Sequence, residues 1–83
     1  MKVTVNGITI VSDKNIDVDY ELRRNNSVDF FWEGTLEKAF SLRHDGIEGW
    51  LYQFSYDSEE EYVSECMFNG TEDLLEWILA TSI

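Results

Sequence analysis

Past Arg43 the chain contains no lysine or arginine, while residues 44–83 hold ten carboxylates: Asp45, Glu48, Asp57, Glu59, Glu60, Glu61, Glu65, Glu72, Asp73 and Glu76. Ionised side chains resist burial, so an element built from this stretch must be apolar on one side and negative on the other. Helical signals accompany the acid. Ser58 followed three residues later by Glu61 makes a capping box, and Tyr62, Val63, Cys66 and Met67 then recur at helical spacing. Asn69-Gly70 supplies a left-handed stop. Thr71 can cap a second helix, with Glu72 and Asp73 in its first turn. Leu74, Leu75, Trp77, Ile78 and Leu79 cover a broad apolar arc on it. The spacing predicts two short helices, over about 59–68 and 72–81.

The preceding residues, about 2–56, read as an antiparallel sheet. In Val3-Thr4-Val5-Asn6-Gly7-Ile8-Thr9-Ile10 the Asn-Gly pair provides the two positive-φ positions of a type I′ hairpin turn. With Val5 opposite Ile8, Val3 meets Ile10 and Thr4 meets Thr9, so the four aliphatic side chains share one face. Ile16, Val18, Tyr20 and Leu22 then alternate with Asp17, Asp19, Glu21 and Arg23, as in a strand, and Arg24-Asn25-Asn26-Ser27 turns the chain. Val28, Phe30 and Trp32 alternate in the same way with Asp29, Phe31 and Glu33. Residues 35–43 suit a helix or a strand. The strand is preferred because His44-Asp45-Gly46 and the aromatic run beyond it continue a meander. In that run Trp50, Tyr52, Phe54 and Tyr56 recur at period two, a strand signal. The expected class is α+β: one domain, an antiparallel meander of five to six strands, then two short C-terminal helices packed on one sheet face.

A chain of 83 residues makes one domain with a radius of gyration of about 12 Å. It buries roughly 60–65% of its unfolded surface, so many of its 12 aromatic side chains are needed in the core. Trp32, Trp50, Phe54 and Trp77 read as core. The single cysteine, Cys66, excludes an internal disulfide, suits a reducing compartment, and falls on the apolar stripe of the first expected helix as a core thiol. Met1-Lys2-Val3-Thr4 has no apolar leader core and no run is long enough to span a bilayer, so a cytoplasmic protein is expected. A formal charge of −11 excludes ordinary nucleic-acid binding, which needs basic side chains on phosphates, and disfavours anionic membranes. An electrostatically steered partner must be basic.

Catalytic signatures are absent. Glu59-Glu60-Glu61 lacks the alternating ligands and central glycine of a calcium loop. His44, beside Asp45 in an expected surface turn, has no second histidine for zinc. Paired-carboxylate hydrolysis needs a cleft that so small a chain hardly affords. No catalytic residue, metal or cofactor is expected, and the chain reads as a non-enzyme. Pairing of like charges is the informative feature. Glu61 with Glu65, and Glu72 with Glu76, are four apart, where like charges on a helix cost about 0.2–0.5 kcal/mol and a lysine would stabilise by as much. Asp57, Glu59, Glu60, Glu61, Glu65, Glu72, Asp73 and Glu76 therefore form the candidate partner-binding face. Helices covering one sheet face would leave Phe31, Ala39 and Leu51 on the other as an apolar contact patch, which is compatible with a homodimer.

In length, acidity and its 57–76 segment the chain resembles small phage-encoded DNA-mimic inhibitors of the anti-CRISPR and anti-restriction kind. That resemblance implies an interaction protein in the host cytoplasm that docks on a basic, nucleic-acid-binding protein or nuclease and blocks its nucleic-acid site. A nuclease immunity protein or antitoxin fits the same features, as does a small assembly module using an exposed sheet face.

Overall fold

In a computed structural model describing residues 1–46, 51–56 and 59–82, the chain forms one six-stranded antiparallel sheet with helices on one face. The strands are β1 (Lys2–Val5), β2 (Ile8–Ser12), β3 (Val28–Trp32), β4 (Lys38–His44), β5 (Leu51–Tyr56) and β6 (Glu59–Ser64), and their spatial order is their sequence order. Helix α1 (Val18–Arg23) lies between β2 and β3. A 3-10 turn (Glu65–Met67) and helix α2 (Thr71–Ser82) follow β6. The radius of gyration is 11.7 Å. Among the described residues no helix is long and apolar enough to cross a membrane.

The first hairpin is set by local chemistry. Asn6 (φ 52°) and Gly7 (φ 78°) make the turn, Val3 pairs with Ile10 and Val5 with Ile8, and the Thr4 and Thr9 hydroxyls meet at 2.7 Å on the far side. The core lies on the other face. Phe30 and Phe40 stack there at 5.1 Å, joined by Val28, Leu42 and Phe54 from the sheet and by Leu74, Leu75, Ile78 and Leu79 from α2. Residues 35–43 resolve mainly as strand. The register shifts between Phe30 and Phe31, and Ala39 packs toward the core.

Residues 16–23 are not a strand. Val18 and Leu22, four apart, are the buried pair of α1, so two of the four alternating apolar positions satisfied a helix equally well. Both ends carry helix chemistry. The Asp17 carboxylate caps by accepting from the Tyr20 N–H at 3.1 Å. Asn25 at φ 60° closes the other end: its N–H donates to the Leu22 carbonyl and that of Asn26 to the Glu21 carbonyl, a Schellman stop. Asp17→Ala is expected to cost about 0.5–2 kcal/mol, measured as a lower urea midpoint. A smaller loss would mean the cap does not hold this one-and-a-half-turn helix.

The helix expected over 59–68 is instead β6 and the 3-10 turn. β5 offers a free edge, and six residues, from Glu59 opposite Tyr56 to Ser64 opposite Leu51, pair along it. A full ladder outweighs the few tenths of a kcal/mol per residue by which helix propensities differ. Of the supposed apolar stripe only Val63 is buried. Tyr62 and Cys66 are exposed and Met67 is 78% exposed, so Cys66 is not a core thiol. Ser58, the expected cap, lies outside the described residues, as do Glu48, Trp50 and Asp57. Helix α2 appears as expected, but Gly70 occupies its cap position, its carbonyl accepting from Leu74 N–H, while the Thr71 hydroxyl bonds Asp19. Trp77 is 43% exposed and Trp32 half-buried, so neither is a fully buried core residue.

Candidate functional site

Strand geometry decides where the glutamates go. Successive side chains on β6 point to opposite faces, so Glu59 and Glu61 rise on the helix side and Glu60 on the other. Glu61 is the register partner of Phe54, and Glu59 of Tyr56. The Phe54 ring is stacked on Tyr56 (5.6 Å) and meets Trp77 of α2 edge-on at 6.2 Å and 89°. Phe68 contacts Trp77 from the chain leading into α2, at 5.9 Å. Asp73 precedes Trp77 by one helical turn and shares its stripe. Glu59 and Glu61 of the β6 edge thus share the sheet face of Phe54 and Tyr56, on which the half-exposed Trp77 packs, and Asp73 lies on the Trp77 stripe of α2; this region is the seam. Tyr56 donates its hydroxyl to Glu61 at 3.3 Å, and the negative charge of Glu61 pushes the tyrosine's pKa up.

The other described carboxylates go elsewhere, so the expected single face is divided. Glu72 and Glu76 stay an i,i+4 pair, exposed on a stripe of α2 about 100° around from Asp73 and Trp77. Glu60 accepts from Gln53 Nε2 at 2.6 Å on the open sheet face, where Gln53 in turn accepts from Arg43 Nε at 2.6 Å. Glu65 turns to Tyr52. Among the described residues the ion pair within 4 Å is Lys2–Glu33 (2.7 Å), which involves β1 at the edge opposite β6; exposed as it is, it contributes about 0–1 kcal/mol. Arg24 instead reaches the Tyr20 hydroxyl at 2.7 Å. The carboxylates of the seam therefore remain uncompensated.

Among the described residues, Phe31, Ala39 and Leu51 do not form the expected exposed patch on the open sheet face. Phe31 and Leu51 are half-buried and Ala39 packs toward the core. Between them run the Arg43–Gln53–Glu60 chain and a Ser41–Asp29 bond of 2.5 Å. Gln53 is 4% exposed, and both ends of its amide are bonded, which is how a buried polar group avoids its desolvation cost.

A concave region lies on the helix side, between α1, the 3-10 turn and the start of α2. Its floor is Tyr52, 8% exposed, whose hydroxyl donates to Glu65 Oε2 at 3.0 Å. Burial, then the bond to Glu65 and its charge, push the phenol up to about 12. His44 is the last residue of β4 and not a free turn: its ring meets Tyr52 edge-on at 5.4 Å, and Nδ1 lies 2.7 Å from Asn25 Oδ1. Asp19 and Arg23 of α1, with Thr71, complete the wall. Among the described residues no three His, Cys, Asp or Glu side chains are grouped to hold a metal. Sequence reasoning missed Tyr52, Arg23 and Asp19 because they come from separate elements with no shared local pattern. It placed Trp77 on the core arc, whose flank it occupies. Comparison with known proteins finds no matching family model, no matching curated protein and no matching solved structure.

Proposed function

We propose that this is a small acidic interaction protein that docks the α2–β6 seam on a basic surface of a protein partner, a surface that otherwise serves nucleic acid, and so blocks it. The supporting observation is Trp77, 43% exposed and packed on Phe54, the register partner of Glu61, with Glu59 on the same sheet face, Asp73 one turn before it on α2, and no lysine or arginine in ion-pair contact with these carboxylates among the described residues. An arginine can stack on the indole face while a carboxylate takes its N–H groups in a bidentate bond. Tryptophan and arginine are the residue types that dominate interface energetics. The surrounding charge, part of a total of −11, would steer the encounter and discriminate against acidic surfaces.

The test is recovery of the partner from source-cell lysate, followed by titration of the purified pair. The expected partner is basic, is displaced by its own nucleic acid, and binds less tightly as salt is raised. Glu61→Lys with Asp73→Lys is expected to weaken binding at least about a hundredfold, or roughly 3 kcal/mol, without lowering the melting temperature. Trp77→Ala should weaken it by a further margin. A partner bound equally well by the charge-reversed protein, or insensitive to salt, would refute the reading. Glu72→Lys with Glu76→Lys, on the other stripe, serves as the control of equal charge and should matter much less.

A further inference from the structure

The concave region on the helix side has no part in the seam and carries a different chemistry. Two adjoining hollows, of about 340 and 400 Å³, share Arg23, Tyr52 and Glu65, placing the cavity at the small end of the range that takes small molecules. Three charges face it, and two are held in place by hydroxyl groups from other elements. Glu65 keeps one oxygen on the Tyr52 hydroxyl at 3.0 Å, and Asp19 keeps one on the Thr71 hydroxyl. Each retains a second oxygen. Arg23 is exposed and forms no ion pair among the described residues.

We propose that this cleft binds a small free α-amino acid, with its ammonium between Glu65 and Asp19 and its carboxylate on the Arg23 guanidinium. The alternatives fail on charge. A simple anion would face two carboxylates. A simple cation would sit beside Arg23 with nothing to offer it. A zwitterion answers all three groups, and the planar guanidinium suits a carboxylate better than any other partner. The hydroxyl bonds from Tyr52 and Thr71 fix the two acidic walls before binding, which lowers the ordering cost.

The test is an NMR titration of the unaltered protein with each standard L-amino acid in turn, followed by the carboxamide and the N-acetyl derivative of the strongest binder. Shifts are expected at Tyr52, Glu65 and Thr71. Removing either ligand charge should weaken binding about tenfold or more. Arg23→Gln should weaken the parent amino acid by a similar factor and leave the carboxamide unaffected. Failure of every amino acid to shift these residues at millimolar concentration overturns the proposal. So does a carboxamide or N-acetyl derivative that binds as well as its parent. The ligand arms need no variant, so the outcome does not depend on how a substitution folds, nor on whether the seam has a partner.

Discussion

Phe54→Ala is expected to cost about 3–5 kcal/mol of stability, a large share of what a domain of this size possesses. A chain of 83 residues has roughly 4–12 kcal/mol in all. Phe54 is fully buried on β5 opposite Leu42 and Glu61, and its ring is the contact through which Trp77 of α2 and Tyr56 of the sheet meet. Truncation leaves a cavity that neighbours anchored in β4, β5 and α2 can fill only in part. Urea unfolding should show a lower midpoint with little change in slope. Trp77 fluorescence should shift because the indole loses its edge contact. A loss below about 1 kcal/mol would mean the site collapses freely, and that Phe54 does not join the helix to the sheet as described.

Alkaline pH should destabilise the fold through Tyr52. Its pKa is about 12 in the folded chain against 10.0 for the free group, so between those values the unfolded chain gives up a proton that the native state retains. Stability attributable to Tyr52 is thus fully present below pH ~10 and is lost progressively as pH rises toward ~12. Burial is the leading cause, with Glu65 adding to it through a hydrogen bond and its charge. Urea midpoints measured across this window should fall for the native protein and fall much less for Tyr52→Phe. Subtracting the two profiles removes every other group that titrates there. Parallel profiles would place the Tyr52 hydroxyl in water and not against Glu65.

The parts of the fold that the sequence made legible are those whose cause is local. Asn6-Gly7 and the aliphatic positions around it specify one turn and one register. Helix α2 follows from a five-residue apolar arc beginning at Leu74. Tyr52 and Phe54 mark β5 by their spacing. Two elements were misread for opposite reasons. Residues 16–23 fit either period, and the deciding signals, Asp17 as cap and Asn25 as stop, occupy single positions at the ends. Residues 59–64 have helical spacing, but their fate is set by the unpaired edge of β5, which no local pattern reveals. The acidity of the candidate site was visible as composition. The direction of each carboxylate was not, because it depends on whether the backbone there repeats every two residues or every 3.6. The meeting of Arg23, Tyr52 and Glu65 comes only from tertiary packing.

The strand order β1 through β6 bears on how the chain is assembled. Each strand pairs with the one made just before it, so no ladder waits on a distant segment and loop-closure cost stays low throughout. Such topologies form quickly for their size. Yet α2 packs against β1, at the far side of the sheet from the strand it follows. During synthesis the sheet can therefore grow edge by edge with its oily side bare, and that side is sealed only when the final helix crosses back to the first strand. A chain interrupted after Ser64 would be left as a half-clad sheet, the form in which this protein should be most prone to aggregate.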